Sequence, residues 1–251
     1  MRIEDHIIAL SRDGRRLAEA AERAGTDAAV PSCPGWRIRD LLGHVGGVHR
    51  WAASYVATGR AEPWPAEEET QFFPTVADAD LVPWFQAGHL ALVETLRAAD
   101  AGLACWTFLR APSPLAFWAR RQAHETAIHR TDAESAVGAA PSFDPEFAVD
   151  GIDELLNGFF ARPGGRLRAD PPVSLVLRAT DADAAWTVQL TADGRRVVDG
   201  EHPADVTVAG PASDLYLMLW NRADAVADPL EVRGNAAVLD LWRDRATVRW
   251  S

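Results

Sequence analysis

The chain has 251 residues, 48% of them hydrophobic, and a formal net charge of -11; it is long enough to bury a core in one large domain or two small ones. That charge, with no basic stripe anywhere, excludes a nucleic-acid partner and points to small-molecule ligands. No run of about 18 apolar residues occurs, and Arg2, Glu4 and Asp5 stand where a secretory segment would be apolar, so a cytoplasmic protein without membrane association is expected. Two cysteines, Cys33 and Cys105, are too few for a disulfide framework, and each reads as a small buried hydrophobe before a nucleophile.

In chain order, Ile3, Ile7, Leu10, Leu17 and Ala21 recur at helical spacing, with Gly25 as a stop. The breaker segment "VPSCPGW" separates this helix from a second, whose apolar stripe runs Ile38, Leu41, Leu42, Val45, Val48, Ala52 and Tyr55. A Pro- and Glu-rich connection precedes a third helix over "DADLVPWFQAGHLALVETLRAAD", with Pro83 accommodated in its first turn. The fourth helix is "ARRQAHETAIHRTDAESA", and a shorter pattern, "DPEFAVDGIDELLNGFFA", closes this half. Tryptophans 51, 84, 106 and 118 are expected to fill the core. An up-and-down helical bundle over residues 1–162 follows from the pattern.

Beyond the Pro/Gly/Arg linker "RPGGRLRADPP" the pattern changes. Short β-branched runs, "VSLVLRAT", "AAWTVQLTADGRRVVDG" and "ADVTVAG", predict a small antiparallel sheet. Helices over "ASDLYLMLWNR" and "NAAVLDLWRD" and a closing strand at "TVRWS" complete an α+β domain over residues 163–251.

The fourth helix carries the chemistry. Glu125 and His129 are four residues apart, about 40° around the axis and one turn from each other, so they can grip one ion. His124 is rotated roughly 140° from His129 and points elsewhere. The zinc-protease motif H-E-x-x-H is excluded, because position 128 is Ile128; the spacing is H-E-x-x-x-H, which makes the Glu a ligand candidate instead of a general base. A third ligand must come from another helix. His44 and His49 both lie on the second helix, and periodicity does not choose between them. His6, His89 and His202 show no partner pattern. Spacing alone leaves a surface Glu/His contact as the more ordinary reading of the pair.

The segment "CPGWRIRDLLGHVGGVHRW", followed by "RRQAHETAIHR", resembles the mycothiol-dependent maleylpyruvate isomerase family of actinobacteria, within the DinB-like metal-binding bundles. The resemblance extends over the whole chain and implies a DinB-like four-helix bundle followed by a sterol-carrier-like α+β domain. It implies His44, Glu125 and His129 as the ligands of a divalent metal, Zn²⁺, and mycothiol as the thiol cosubstrate. It places an Arg beside a Trp near the chain end on the active-site side, to which Arg249 and Trp250 correspond. The implied activity is isomerisation of maleylpyruvate-like substrates or transfer of the thiol to an electrophile. Two other readings compete. Two His and a carboxylate also form the facial triad of non-haem iron oxygenases, and a non-enzymatic ligand-binding or sensor protein could carry the same bundle. The pattern leaves the oligomeric state open.

Overall fold

A computed structural model of the chain describes residues 1–162, 165–223 and 229–246. The chain divides into two compact units, Met1–Pro141 and Ser142–Ser251.

The first unit is built on helices α1 (Ile3–Ala24), α2 (Ile38–Thr58), the short α3 (Ala66–Glu69) with a following 3-10 turn, α4 (Asp78–Ala98) and α5 (Pro114–Ser135). Local chemistry sets the helix starts. Asp5 and Asp40 each reach back to accept the backbone N–H of the residue preceding their helix, Arg2 at 2.9 Å and Arg37 at 2.8 Å, which satisfies a donor the helix itself cannot. Ser113 Oγ accepts from Ala116 N at 3.1 Å, with Pro114 as the first helical residue of α5. Pro83 lies in the second turn of α4, because that helix begins at Asp78; the first-turn placement expected from the sequence is corrected accordingly.

Helix α1 packs mainly on α5, and α2 mainly on α4, while α1 with α4 and α2 with α5 close the ring. The pairs α1/α2 and α4/α5 touch least, so each faces its partner across the bundle. Helix α2 thereby lies beside α5. One core cluster joins Leu17, Ile38, Leu41, Leu42, Val45 and Phe85. Another is aromatic: Tyr55 stacks on Trp118 at 5.1 Å between ring centroids, and Trp51 and Trp106 pack around them. Those three tryptophans hold the core role read from the sequence, whereas Trp84 is only partly buried and lies under the Arg50 guanidinium.

Helix α5 is buried along nearly its whole length from Leu115 to Glu134, although half of its residues are polar. Burial on this scale requires paired charges. Arg130, with no exposure, donates to Glu134 Oε2 at 2.9 Å and lies 3.7 Å from Asp13 on α1. Asp13 and Glu134 each take a second, half-exposed arginine, Arg12 and Arg16.

In the second unit, α6 (Pro145–Asp153) runs into a π-turn and a 3-10 turn ending at Ala161. It packs on α7 (Ala212–Leu219), so this helix belongs to the α+β unit and not to the bundle, and the division falls at Pro141/Ser142 instead of residue 162. Strands β1 (Val173–Ala179), β2 (Ala185–Thr191), β3 (Gly194–Asp199), β4 (Val206–Gly210) and β5 (Glu231–Gly234) form a sheet in the order β3-β2-β1-β4-β5. The sheet is mixed: β1 pairs parallel with β4, and its other ladders are antiparallel. The β2–β3 hairpin turns through Ala192 and Asp193. Helix α8 (Ala237–Arg245) follows β5. The closing strand expected at "TVRWS" lies outside the described residues. Among the described residues no helix is long and apolar enough to cross a membrane.

Replacing Arg130 by Met keeps the volume but strands two buried carboxylates. Because each retains an outer arginine, the expected loss is about 3 kcal/mol, at the low end for a broken buried pair, read as a fall in the urea midpoint.

Candidate metal centre

Helix α5 places Arg121, Glu125 and His129 one turn apart on a single face. Helix α2 brings His44 up to the same point. His44 Nε2 and His129 Nε2 each lie 3.3 Å from Glu125 Oε1, and one ligating atom from each of the three residues falls within 4.8 Å of the others. Donors around a tetrahedral zinc with bonds of about 2.0–2.1 Å stand roughly 3.3 Å apart. The donor set and its spacing therefore fit zinc.

Each candidate ligand is oriented from behind. Arg121 donates to Glu125 Oε2 at 3.2 Å, which leaves Oε1 for the imidazoles. Asp132, fully buried, accepts from His129 Nδ1 at 2.9 Å, which fixes the tautomer that presents Nε2 as a lone pair. The same carboxylate accepts from Ser32 Oγ at 2.6 Å and from Cys33 Sγ at 3.4 Å, so the loop before α2 is tied to the back of His129. Trp36 of that loop stacks on the His129 ring and meets the His44 ring edge-on.

The electrostatics follow. Burial opposes ionisation of Glu125, but hydrogen bonds from His129 and His44, with the charges of His129 and Arg121, hold its carboxyl well below the usual range. Burial likewise opposes charge on His129, yet its bonds to Asp132 and Glu125 prevail and push its pKa up to about 9 in the metal-free chain.

The structure brings together His44, Glu125 and His129. It does not bring in His49, whose Nε2 shares a 2.8 Å hydrogen bond with Thr126 Oγ1 and whose ring packs on Phe85 and His89. Burial, and then the charge of His89, hold the His49 pKa well below the ordinary value. His124 sits edge-on to His6, with ring centroids 6.0 Å apart, on another side of α5. Arg249 lies outside the described residues. Sequence reasoning missed Arg121, Asp132 and Ser32; the signal available was R-x-x-x-E and H-x-x-D on the helix already singled out. Cys33, expected as a buried hydrophobe, is half-buried and hydrogen-bonded within the site.

Comparison with known proteins agrees with this architecture. Residues 8–134 match the family model described as the mycothiol maleylpyruvate isomerase N-terminal domain, and residues 146–241 match the C-terminal domain of the same family. No individually curated protein matches the chain. Two solved structures are similar, both covering 92% of this chain and 93% of their own with a TM-score of 0.63: the mycothiol-dependent maleylpyruvate isomerase at 15% identity, and its histidine-to-alanine mutant at 14%. At that identity the likeness is one of fold.

Two outcomes are expected. Asp132→Asn removes the acceptor that orients His129 and weakens zinc binding about 10–100-fold, measured by competition with a chelator. The folded pKa of His129 lies above its unfolded value, so the stability it contributes to the metal-free protein is complete below about 6.5 and is lost as pH rises through about 9. Zinc must displace this proton, so zinc affinity rises about tenfold per pH unit towards pH 9, which the same competition run across pH 6–9 would read.

Proposed function

The chain belongs to the mycothiol-dependent maleylpyruvate isomerase family, and from that premise we propose that it is a zinc-dependent enzyme using mycothiol to isomerise, or to be joined to, a small electrophile. The observation that carries the proposal is the convergence of His44, Glu125 and His129 on one point, with Asp132 and Arg121 orienting two of them from behind. A set of two imidazoles and one carboxylate would hold Zn²⁺ with at least one position open, as catalytic sites do. Bound there, the ion would lower the pKa of a coordinating thiol so that its sulfur is a thiolate at neutral pH.

The chain's own residues do the remainder. Cys33 is directed to Asp132 and Cys105 lies in the connection before α5, so neither belongs to the ligand set and the thiol comes from a cosubstrate. Asp132 keeps Nδ1–H of His129 engaged and Nε2 available throughout. Arg121 holds Glu125 in one rotamer. His44 is the most accessible of the three, its side chain 20% exposed against 3% for Glu125, so reactants approach from the α2 side.

In the isomerisation, the thiolate sulfur forms a bond to one alkene carbon and the π pair moves onto the neighbouring carbon, conjugated to a carbonyl. Rotation about the new single bond follows. The pair then returns, the C–S bond breaks, and thiolate leaves with its electrons, regenerating the alkene in the other geometry. In the transfer reaction a proton adds to the carbanionic carbon instead, and the thioether is the product.

Purified without added metal, the protein should carry about one zinc per chain, the stoichiometry of a single three-ligand site. His44→Ala and His129→Ala should lose it, while His49→Asn retains it. Full retention in both ligand variants, measured by elemental analysis, would sink the assignment.

A further inference from the structure

A cavity of about 780 Å³ in the first unit opens beside the candidate centre and has His44 and Trp36 in its wall. Since His44 is the exposed ligand, and Trp36 touches both imidazoles, this cavity is the space from which a reactant reaches the metal position. Its remaining wall comes from α2 and from the segment joining α3 to α4.

Two features of that wall are unlike what a dianionic substrate needs. Asp40 and Asp78 both line it, and its cation, Arg39, is already committed: its Nη2 pairs with Asp78 at 2.9 Å and also with Asp27. The Arg39 Nε is buried and does not reach the cavity surface. An arriving carboxylate would therefore meet two fixed anions and a guanidinium already shared between two carboxylates, with no bidentate fork free to receive it. The rest of the wall is apolar. Phe73, 43% exposed, lies over Gly47, where any side chain would collide with its ring, and Val76 and Leu81 continue the surface. Gly47 is one turn beyond His44, so the glycine lets an aromatic ring settle at the mouth of the site. An exposed Phe held in place by an absent Cβ contributes little to the core; it does offer a face to an apolar ligand.

We propose that the electrophile taken by this chain is uncharged and apolar, of aryl or alkyl-substituted type, and that Asp40 and Asp78 discriminate against carboxylates. The inference rests on the function proposed above, and deepens it by naming the substrate class.

The test pairs two electrophiles with the same reacting group, N-phenylmaleimide and its 4-carboxy derivative. Zinc-loaded protein and mycothiol are mixed with each, and the catalysed addition is divided by the uncatalysed rate. In parallel, calorimetry on the zinc-loaded protein measures binding of the unreactive succinimide counterparts, which reports the cavity's preference whether or not turnover occurs. The neutral compound should be favoured about tenfold or more in both measurements, a ratio that shrinks at high salt. Asp78→Asn, with an unchanged melting temperature, should narrow the ratio to about threefold or less by freeing Arg39 for the added carboxylate. Phe73→Ala should weaken binding of the neutral compound. Equal binding, preference for the carboxylate, or no binding of either succinimide would overturn the inference. Absence of zinc, or of catalysed addition with either maleimide, would instead count against the proposed function, and the calorimetric ratio would still decide the substrate class.

Discussion

A carboxylate buried to 3% exposure, Glu125, sets the terms for everything around it. Ionised groups leave water only when other charges and hydrogen bonds replace the lost solvation. Here Arg121 does so from one turn before, His129 from one turn after, and His44 from the neighbouring helix. Each compensating group is itself buried or half-buried and needs its own partner, which is why His129 leads to Asp132, and Asp132 to Ser32 and Cys33. The same demand recurs lower on α5, where Arg130 is closed in by Asp13 and Glu134. Helix α5 is thus a polar helix made interior by its pairings. Its neighbours are placed so that α1 answers one end and α2 the other.

How much of this was legible depends on whether the information is local. Glu125 and His129 share one helix, and four-residue spacing has a fixed geometric meaning, so the half-site could be read directly. His44 could not. Position on the apolar stripe favours burial, and it is His49, more central on that stripe, that ends fully buried against Phe85 and Thr126. The ligand lies on the flank because a metal site needs access, and that criterion concerns the bundle's arrangement, which the α2 sequence does not contain. Asp132 was overlooked for a related reason. An acid three residues after a histidine is ordinary on a helix, and it acquires a role only when His129 turns its Nε2 toward a partner on α2.

The domain boundary and the sheet failed differently. "RPGGRLRADPP" is the stronger compositional break, but it is an internal connection of the second unit, between the turns after α6 and β1. The division lies in the weaker-looking "AVGAAPSFD", where Gly138 takes a positive φ of 68° and Pro141 interrupts the backbone donors. Alternation identified the strands β1, β2 and β4, yet says nothing about their order. The parallel β1/β4 ladder brings together residues about thirty apart, while hairpin signals report only neighbours in sequence. Strand β5 is four residues long and exposed along most of its length, so it left no pattern to find.

The loop between α1 and α2 unites these threads. Its turns are closed by short backbone bonds, Cys33 N to Val30 O, Trp36 N to Cys33 O and Val30 N to Trp36 O, and Gly35 at φ 89° supplies the left-handed residue that lets the chain reverse. The reversal sets Trp36 against both imidazoles and directs Ser32 and Cys33 onto Asp132. Immediately afterwards Arg37 gives its N–H to Asp40, starting α2 in the register that presents His44 one turn later. A single rigid loop therefore fixes the tautomer of one ligand, the helix start of another and part of the wall against which a substrate would lie. A shift in it would disturb all three together, which makes "SCPGW" as much a part of the centre as the residues that would touch the ion.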